Sequence, residues 1–383
     1  MTARRFLFWT HLTIGVTAGL VILAMSVTGV MLAFERQMIA WSDHRYAIHP
    51  PMDGSRMGLD AVLAKLQAAE GAAPSGIVIR SDPARPVEFN FGRERTVLVN
   101  PYSGDIVSEA SGARSFFMQV ENVHRWLALP LEKRELGEGI TGACNLAFLG
   151  LVISGPFLWW PKKWTSANVA KVAWFRHGVN LRGTLWNWHH VFGIWCVTPL
   201  FFIVLTGVVM SYPWANDLLY RLAGNEPPPR ISRTAAGQRP AEGGRGSGGR
   251  NHSERSGAPD GKPLDELLAR AGREAPGWLS LSMRMPAAGT PVTVSADAGS
   301  GRPDLRTQIT LDPVSGQVVR VERYDSYNLG RRLRIWGRFT HTGEAGGWLG
   351  QGIAAVATAA ASILVVTGLW LSLRRLVEWR RRI

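Results

Sequence analysis

The sequence offers little covalent stabilisation for any domain outside a membrane. Only two cysteines, Cys144 and Cys196, occur in 383 residues. Both lie in apolar stretches, near what we expect to be opposite faces of a membrane, so we do not expect a disulfide between them. Domains outside the membrane must therefore be stable without disulfides.

Charge is missing from four long stretches of the chain. None of the four contains Asp, Glu, Lys or Arg, and each has at least 22 residues. At about 1.5 Å per residue, such a helix crosses a hydrocarbon layer of about 30 Å. The first stretch is too long, and too polar at its exit, for a cleaved signal peptide. The predicted transmembrane helices are centred on Leu12–Phe34, Gly139–Trp160, Val191–Tyr212 and Gly347–Leu373.

Acidic residues are absent from the loop between the second and third stretches, which carries five basic ones. Arg4 and Arg5 precede the first stretch, and five arginines follow the fourth. Basic residues collect on the cytoplasmic side of membrane proteins. We therefore expect a bacterial inner-membrane protein with both termini in the cytoplasm and two long periplasmic connections, roughly 35–138 and 213–346. The formal net charge of +14 belongs largely to this pattern and to an Arg-rich linker, so we do not predict nucleic-acid binding.

The chain contains the same unit twice. An offset of 178 (189 − 11) aligns the first apolar stretch with the third without a gap, and an offset of 213 (352 − 139) aligns the second with the fourth. Each half therefore consists of a span, an exported segment and a second span. The matched positions include His11 with His189, Thr28–Gly29 with Thr206–Gly207, Ser154–Gly155 with Thr367–Gly368, and Leu136–Ile140 with Leu349–Ile353.

The exported segments repeat as well. Asn100–Gly104 and Asp312–Gly316 are Pro- and Gly-containing turn sequences, each predicted to lie in a β-hairpin. Upstream of each turn, apolar residues at three- and four-residue steps predict amphipathic helices over Leu59–Glu70 and Leu264–Glu274. The Gly-, Pro-, Arg- and Ser-rich segment Glu226–Lys262 is predicted to be a flexible linker.

These patterns predict a membrane α-helical fold, a four-helix transmembrane bundle with internal duplication, carrying two periplasmic α+β domains. The predicted divisions are transmembrane helix 1 (6–36), periplasmic domain 1 (37–120), a periplasmic lead-in with transmembrane helix 2 (121–161), a cytoplasmic loop (162–186), transmembrane helix 3 (187–214), periplasmic domain 2 (215–340, including the linker 226–262), transmembrane helix 4 (341–374) and a cytoplasmic tail (375–383).

Four histidines occupy equivalent places at the membrane edges of the two repeats. His11 and His189 each begin a span at the expected cytoplasmic face, and His124 and His341 precede spans at the exported face. Two imidazoles from different helices can hold a haem iron axially, and a nearby glycine admits a flat macrocycle. We therefore expect two haem sites, one at each face.

Arginines near the outer pair support this hypothesis, since Arg125 and Arg338 could pair with haem propionates. His190 also adjoins the inner pair, but neighbours on a helix point about 100° apart, and the repeat favours His189. Two other interpretations stay open. The edge histidines could anchor helices in the headgroup layer, or they could form a metal-ion or proton pathway. Four histidines without a repeat partner are interpreted as solvated: His44, His49, His177 and His252.

With these residues the chain resembles the PepSY-associated transmembrane family, and its exported units are similar to PepSY domains. The likeness extends over nearly the whole chain. The matching motifs are His124-Arg-Trp126, Ser154–Lys163, His189-His-Val-Phe-Gly193, Thr206–Gly207 and His341-Thr-Gly-Glu344.

The resemblance is greatest to the ferrioxamine-type ferrisiderophore reductases of this family. It implies two b-type haems and reduction of a ferric hydroxamate siderophore at the periplasmic face. No predicted strand is followed by Gly-x-Gly-x-x-Gly and a helix, and no Cys-x-x-Cys-His motif occurs, so we expect non-covalent haem and a separate electron donor, either a cytoplasmic flavoprotein or membrane quinol. The alternatives are a quinone-linked cytochrome b, an iron or siderophore transporter, and a peptide-binding sensor.

Overall fold

The computed structural model describes residues 2–52, 54–92, 95–109, 112–161, 163–229, 261–286, 290–299 and 301–380. Most of the predicted linker, with His252, lies outside these residues. The chain divides into two compact units, each described by itself. The helical unit comprises Met1–Glu35, Phe116–Pro227 and Leu329–Ile383, and the sheet unit comprises Arg36–Ser115 and Pro228–Asn328.

The described residues form the following helices and strands, numbered in chain order. The helices are α1 (Ala3–Leu32), α2 (Glu35–Asp43), α3 (Leu59–Glu70), α4 (Gly112–Trp126), α5 (Arg134–Trp159), α6 (Ser166–Ala173), α7 (Leu181–Ser211), α8 (Pro213–Leu222), α9 (Leu264–Glu274), α10 (Leu329–His341) and α11 (Gly347–Arg380). The strands are β1 (Gly76–Arg80), β2 (Val87–Phe91), β3 (Arg95–Val99), β4 (Ile106–Glu109), β5 (Ser280–Arg284), β6 (Val292–Asp297), β7 (Arg306–Leu311) and β8 (Val318–Arg323).

The helical unit is a bundle of α1, α5, α7 and α11. In the described part of the chain, four helical segments containing these helices are long and apolar enough to cross a membrane, which confirms the four predicted spans. Side chains of Arg4 and Arg182 show that neighbouring helices run in opposite directions. Arg4 at the start of α1 donates to the Leu158 carbonyl near the end of α5 (2.8 Å), and Arg182 at the start of α7 pairs with Glu378 near the end of α11 (3.1 Å). We call this the basic end of the bundle.

At the opposite end, two short helices lead into spans and carry the second histidine pair. His124 lies on α4, and His341 is the last residue of α10. The division predicted as transmembrane helix 4 (341–374) is therefore wrong at its start, because the spanning helix begins at Gly347. The division 121–161, predicted as a lead-in followed by helix 2, contains the end of α4 and the whole of α5, and Leu127 and Ala128 between them adopt positive φ.

Glycines allow these short helices to approach the spans. A Cβ at Gly137 of α5 would collide with the backbone of Trp126 at the end of α4. A Cβ at Gly350 of α11 would collide with the carbonyl of Gly343, just after α10. The repeated Leu-Gly-x-Gly-Ile sequence thus marks two equivalent close contacts, each holding a histidine-bearing helix against a span.

The sheet unit corrects the prediction of two separate exported domains. Its strands form one antiparallel sheet in the order β4-β3-β2-β1-β5-β6-β7-β8, and β1 pairs with β5 across the two halves. Separate four-stranded sheets would each leave an exposed edge at β1 or β5, and their pairing removes both edges. The halves also share one hydrophobic core, whose fully buried members include Leu66, Ile77, Phe89, Leu267, Leu281 and Ile309.

The repeat is nevertheless visible inside this single sheet. The predicted helices α3 and α9 have the expected bounds, and they exchange caps: Asp265 accepts from the Leu59 N–H (2.6 Å), and Asp60 accepts from the Leu264 N–H (2.8 Å). Burial raises the pKa of Asp265, an effect opposed by the Leu59 N–H. Each carboxylate satisfies an N–H group that a helix start leaves unpaired.

Candidate functional site

The first histidine pair lies at the basic end of the bundle, on α1 and α7. His11 Nδ1 is 2.8 Å from Ser154 Oγ of α5. His189 Nδ1 is 2.9 Å from Thr367 Oγ1 of α11. Each imidazole is thus held by a hydroxyl of a neighbouring span, from equivalent positions of the two repeats.

The second pair lies at the opposite end, on α4 and α10. His124 Nδ1 is 2.9 Å from Thr28 Oγ1 of α1, and His341 Nδ1 is 2.8 Å from the Ile203 carbonyl of α7. Thr206, the repeat partner of Thr28, donates to the Phe202 carbonyl (2.6 Å), and its Oγ1 lies 2.9 Å from the Ile203 carbonyl. The ring centroids of His124 and His341 are 6.4 Å apart, with the ring planes at 65°.

The hydrogen bonds of these partners assign the tautomer of each histidine. A hydroxyl has one proton to donate. Thr28, Ser154 and Thr367 each donate theirs to a carbonyl in the preceding turn of their own helix, at 2.6, 3.1 and 2.7 Å. Each hydroxyl therefore accepts from histidine Nδ1–H, and the Ile203 carbonyl can only accept. This pattern favours the tautomer with the proton on Nδ1 in all four rings, in which the Nε2 lone pair can bind a metal.

Three of the imidazole rings lie close to a glycine that directly follows a threonine. A Cβ at Gly29 would lie 3.5 Å from His124 Cε1, and a Cβ at Gly207 would lie 3.2 Å from His341 Cε1. A Cβ at Gly368 would lie 3.2 Å from His189 Cε1. The sequence identified these Ser/Thr-Gly pairs only as markers of the repeat. These pairs recur on the spans that the histidine rings contact. This recurrence was the sequence signal that they position the rings.

The pair at the opposite end fits an iron held between two imidazoles. Metal–imidazole bonds of about 2 Å, with about 1 Å from each nitrogen to its ring centre, require about 6 Å between ring centres. The observed 6.4 Å agrees with this arrangement. Among the described residues, no group of three or more His, Cys, Asp or Glu side chains is placed to hold a metal ion. The candidate donors at this end are the imidazole nitrogens of His124 and His341.

The remaining site residues of the sequence prediction have partners within the bundle. Arg125 pairs with Glu121 (3.0 Å) and stacks on Trp126, and Arg338 stacks on Phe339. A role for either arginine with propionates stays a prediction.

His190 is separated from the pair at the basic end. Its Nδ1 donates to the Trp186 carbonyl of its own helix (2.8 Å), and its ring stacks on Trp186 at 4.0 Å. Only His189 of the two neighbours is held by another span, which favours the assignment made from the repeat.

One comparison with known proteins decides the family. The family model described as the PepSY-associated TM region matches residues 8–375. The chain belongs to this family. The resemblance predicted from the histidine and Ser/Thr-Gly motifs is thereby confirmed, and the match spans both histidine pairs. Among curated proteins, none matches the chain significantly.

Proposed function

We propose that this PepSY-associated membrane protein is a two-haem b reductase that passes electrons across the inner membrane to a periplasmic ferric hydroxamate siderophore. The observation that carries the haem assignment is the shared state of the four histidines. Each is held through Nδ1 by a residue of a different helix, an arrangement that favours an Nε2 available to a metal. Helix anchoring in the headgroup layer would not require this common tautomer.

The residues of the bundle have distinct parts in this function. His11 and His189 would hold one haem at the basic end, and His124 and His341 would hold the other. A bound haem would supply a one-electron iron couple. The Ser and Thr hydroxyls orient the imidazoles and strengthen them as ligands, while the apolar spans exclude water.

The substrate assignment rests on the resemblance to ferrisiderophore reductases of this family. Hydroxamate oxygens are hard ligands that favour Fe(III), so one-electron reduction to Fe(II) releases the metal. We place the basic end in the cytoplasm and the sheet unit in the periplasm, following the distribution of Lys and Arg.

The first test is spectroscopic. Purified full-length protein should contain about two low-spin b haems per chain, extractable without breaking a covalent bond. After anaerobic reduction with dithionite and removal of the excess, ferrioxamine B should reoxidise the protein, and a ferrous chelator should trap the Fe(II). A folded, colourless protein would end the haem hypothesis.

Topology is tested with alkaline phosphatase fusions. Fusions after residue 110 or 325 should be active, because both positions lie in the connections predicted to be exported. Fusions after residue 175 or 380 should be inactive. Activity at residue 175 would reverse the proposed orientation, whatever the haem content.

Replacing Thr28 by Val should raise the reduction potential of the haem held by His124, on the order of 50 mV, the shift for a roughly tenfold change in preference between iron states. The change removes the acceptor of the Nδ1–H bond, which makes the imidazole a weaker donor to Fe(III). Redox titration at the haem absorption band measures the shift. Thr17→Val is the matched control, since the Thr17 hydroxyl also bonds its own helix but contacts no histidine. Equal potentials in both variants would contradict the assigned hydrogen bond.

A further inference from the structure

A recess lies beside the histidine pair at the basic end. It is formed by residues 175–178 and by one face of α7, and it has a volume of about 500 Å³. Small-molecule sites typically occupy about 300–1,000 Å³. Three aromatic side chains and three polar ones line it: Phe175, Trp188, Phe192, Arg176, His177 and Thr184.

Asn187 builds this recess by fixing the loop to α7. The side chain is 1% exposed, and every hydrogen-bonding group of its amide is used. Its Nδ2 donates to the Lys171 and Trp174 carbonyls, both at 3.0 Å, and its Oδ1 accepts from the Arg176 N–H at 3.0 Å. Trp195 adds a bond to the Ala173 carbonyl (2.7 Å). Residues 171–176 are thus held in one conformation, two positions along the helix from His189.

The residues that line the recess suit a flat apolar ring that carries oxygen substituents. Phe175 and Phe192 meet edge to face with centroids 5.4 Å apart, and Trp188 lies 6.3 Å from Phe192. Arg176, His177 and Thr184 supply a cation, an imidazole and a hydroxyl on the same lining. The combination fits a ring whose substituents donate and accept hydrogen bonds.

The position of the recess favours a ligand that arrives through the lipid. Exposed tryptophans collect around the basic end, and tryptophan is enriched where helices cross the membrane–water interface. A lipid-soluble ring can reach α7 at this depth without leaving the bilayer. The exposed tryptophans nearest the recess include Trp160, Trp164, Trp174, Trp186, Trp188 and Trp195.

We propose that this recess binds a membrane quinol, which is the electron donor of the protein. The proposal rests on the proposed function, which supplies the oxidant. One quinol gives up two electrons and two protons and becomes quinone, while two ferric chelates each take one electron and become ferrous. The His177 imidazole accepts the two hydroxyl protons of the quinol in turn, one with each electron, and passes each to water at the basic end before it takes the next. Trp188 and Phe192 lie one residue before and three residues after His189 on α7, so the ring would bind within about one helical turn of the ligand of the proposed haem at this end.

Binding is tested apart from turnover, with full-length protein in liposomes and an azido-quinone photoprobe. We expect labelling of the peptide spanning residues 171–192, displaced by decylubiquinone. Phe175→Ala and His177→Gln should each weaken displacement by roughly tenfold, equivalent to losing about 1.4 kcal/mol of contact. The matched controls are Phe202→Ala and His49→Gln. Phe202 is 49% exposed and Phe175 is 48% exposed, and His49 lies in an exposed loop. Both control variants should bind like the unaltered protein.

Decylubiquinol should also reduce the haem absorption of the unaltered protein, and both recess variants should slow this step while dithionite still reduces them fully. Labelling of a colourless protein would leave the quinone site standing and remove the haem function. A haem-containing protein that is neither labelled nor reduced by decylubiquinol, but accepts electrons from a reduced flavoprotein, would overturn the recess proposal alone. Equal displacement constants in the recess variants and the controls would overturn it as well.

Discussion

His124→Ala and His341→Ala should each lower the haem content from about two to about one per chain, because a low-spin b haem needs both axial imidazoles. The rings of these residues lie 6.4 Å apart on two different helices, and either substitution would leave the proposed haem iron one ligand short. His11→Ala and His189→Ala should remove the other haem. Pyridine haemochrome absorbance per protein measures the loss, and redox titration shows which of two potentials disappears.

His190→Ala is the matched control for this series. It removes an imidazole from the same turn of α7, but one whose Nδ1 bonds its own helix. Both haems should remain. If His190→Ala loses the haem at the basic end while His189→Ala keeps it, the repeat alignment and the Thr367 hydrogen bond have assigned the wrong ligand.

The spans and the histidine pairs were predictable because each follows from a local or a repeated pattern. An uncharged stretch of more than twenty residues has few other folds available to it. The offset of 178 places His11 on His189, and the helix directions then put both at one end. The helices Leu59–Glu70 and Leu264–Glu274 were predictable from their apolar spacing, and the structure has the same bounds.

The joining of the exported segments could not be read from the sequence. β1 and β5 pair through backbone hydrogen bonds, with Val78 opposite Ser282. The side chains of neither strand alone indicate this register. Each half has enough strands to suggest a small domain of its own. Which edges remain open, and which pair, depends on how the two halves meet in space.

The hydroxyl partners of the histidines were missed for a related reason. Thr28 lies 96 residues from His124, and Ser154 lies 143 residues from His11. The sequence showed that Ser/Thr-Gly recurs, but only the packing of the spans shows that each hydroxyl meets a ring. The same packing separates His189 from His190, which are adjacent in sequence and differ in the helix that each one contacts.

The two ends of the bundle must act together for reduction across a membrane. His11 lies 17 residues before Thr28, the partner of His124, on the same helix α1, so the two histidine pairs are about 25 Å apart at about 1.5 Å per residue. A donor at the basic end therefore cannot reach a chelate at the opposite end directly, and both pairs are needed. This requirement distinguishes transmembrane reduction from a reaction at one face.

His341→Ala should abolish reduction of external ferrioxamine B in oriented liposomes that contain the reductant only inside, with the basic end facing the lumen. The variant loses the haem nearest the chelate while His11 and His189 still hold the other, which should remain reducible from inside. An impermeant ferrous chelator outside the vesicles measures the Fe(II) formed. His190→Ala, which keeps both proposed haems, should support the rate of the unaltered protein. If the unaltered protein reduces no external ferric chelate while added quinone rapidly oxidises its reduced haems, the protein is a quinone-linked cytochrome, because electrons then cross the bundle but leave it for a different acceptor.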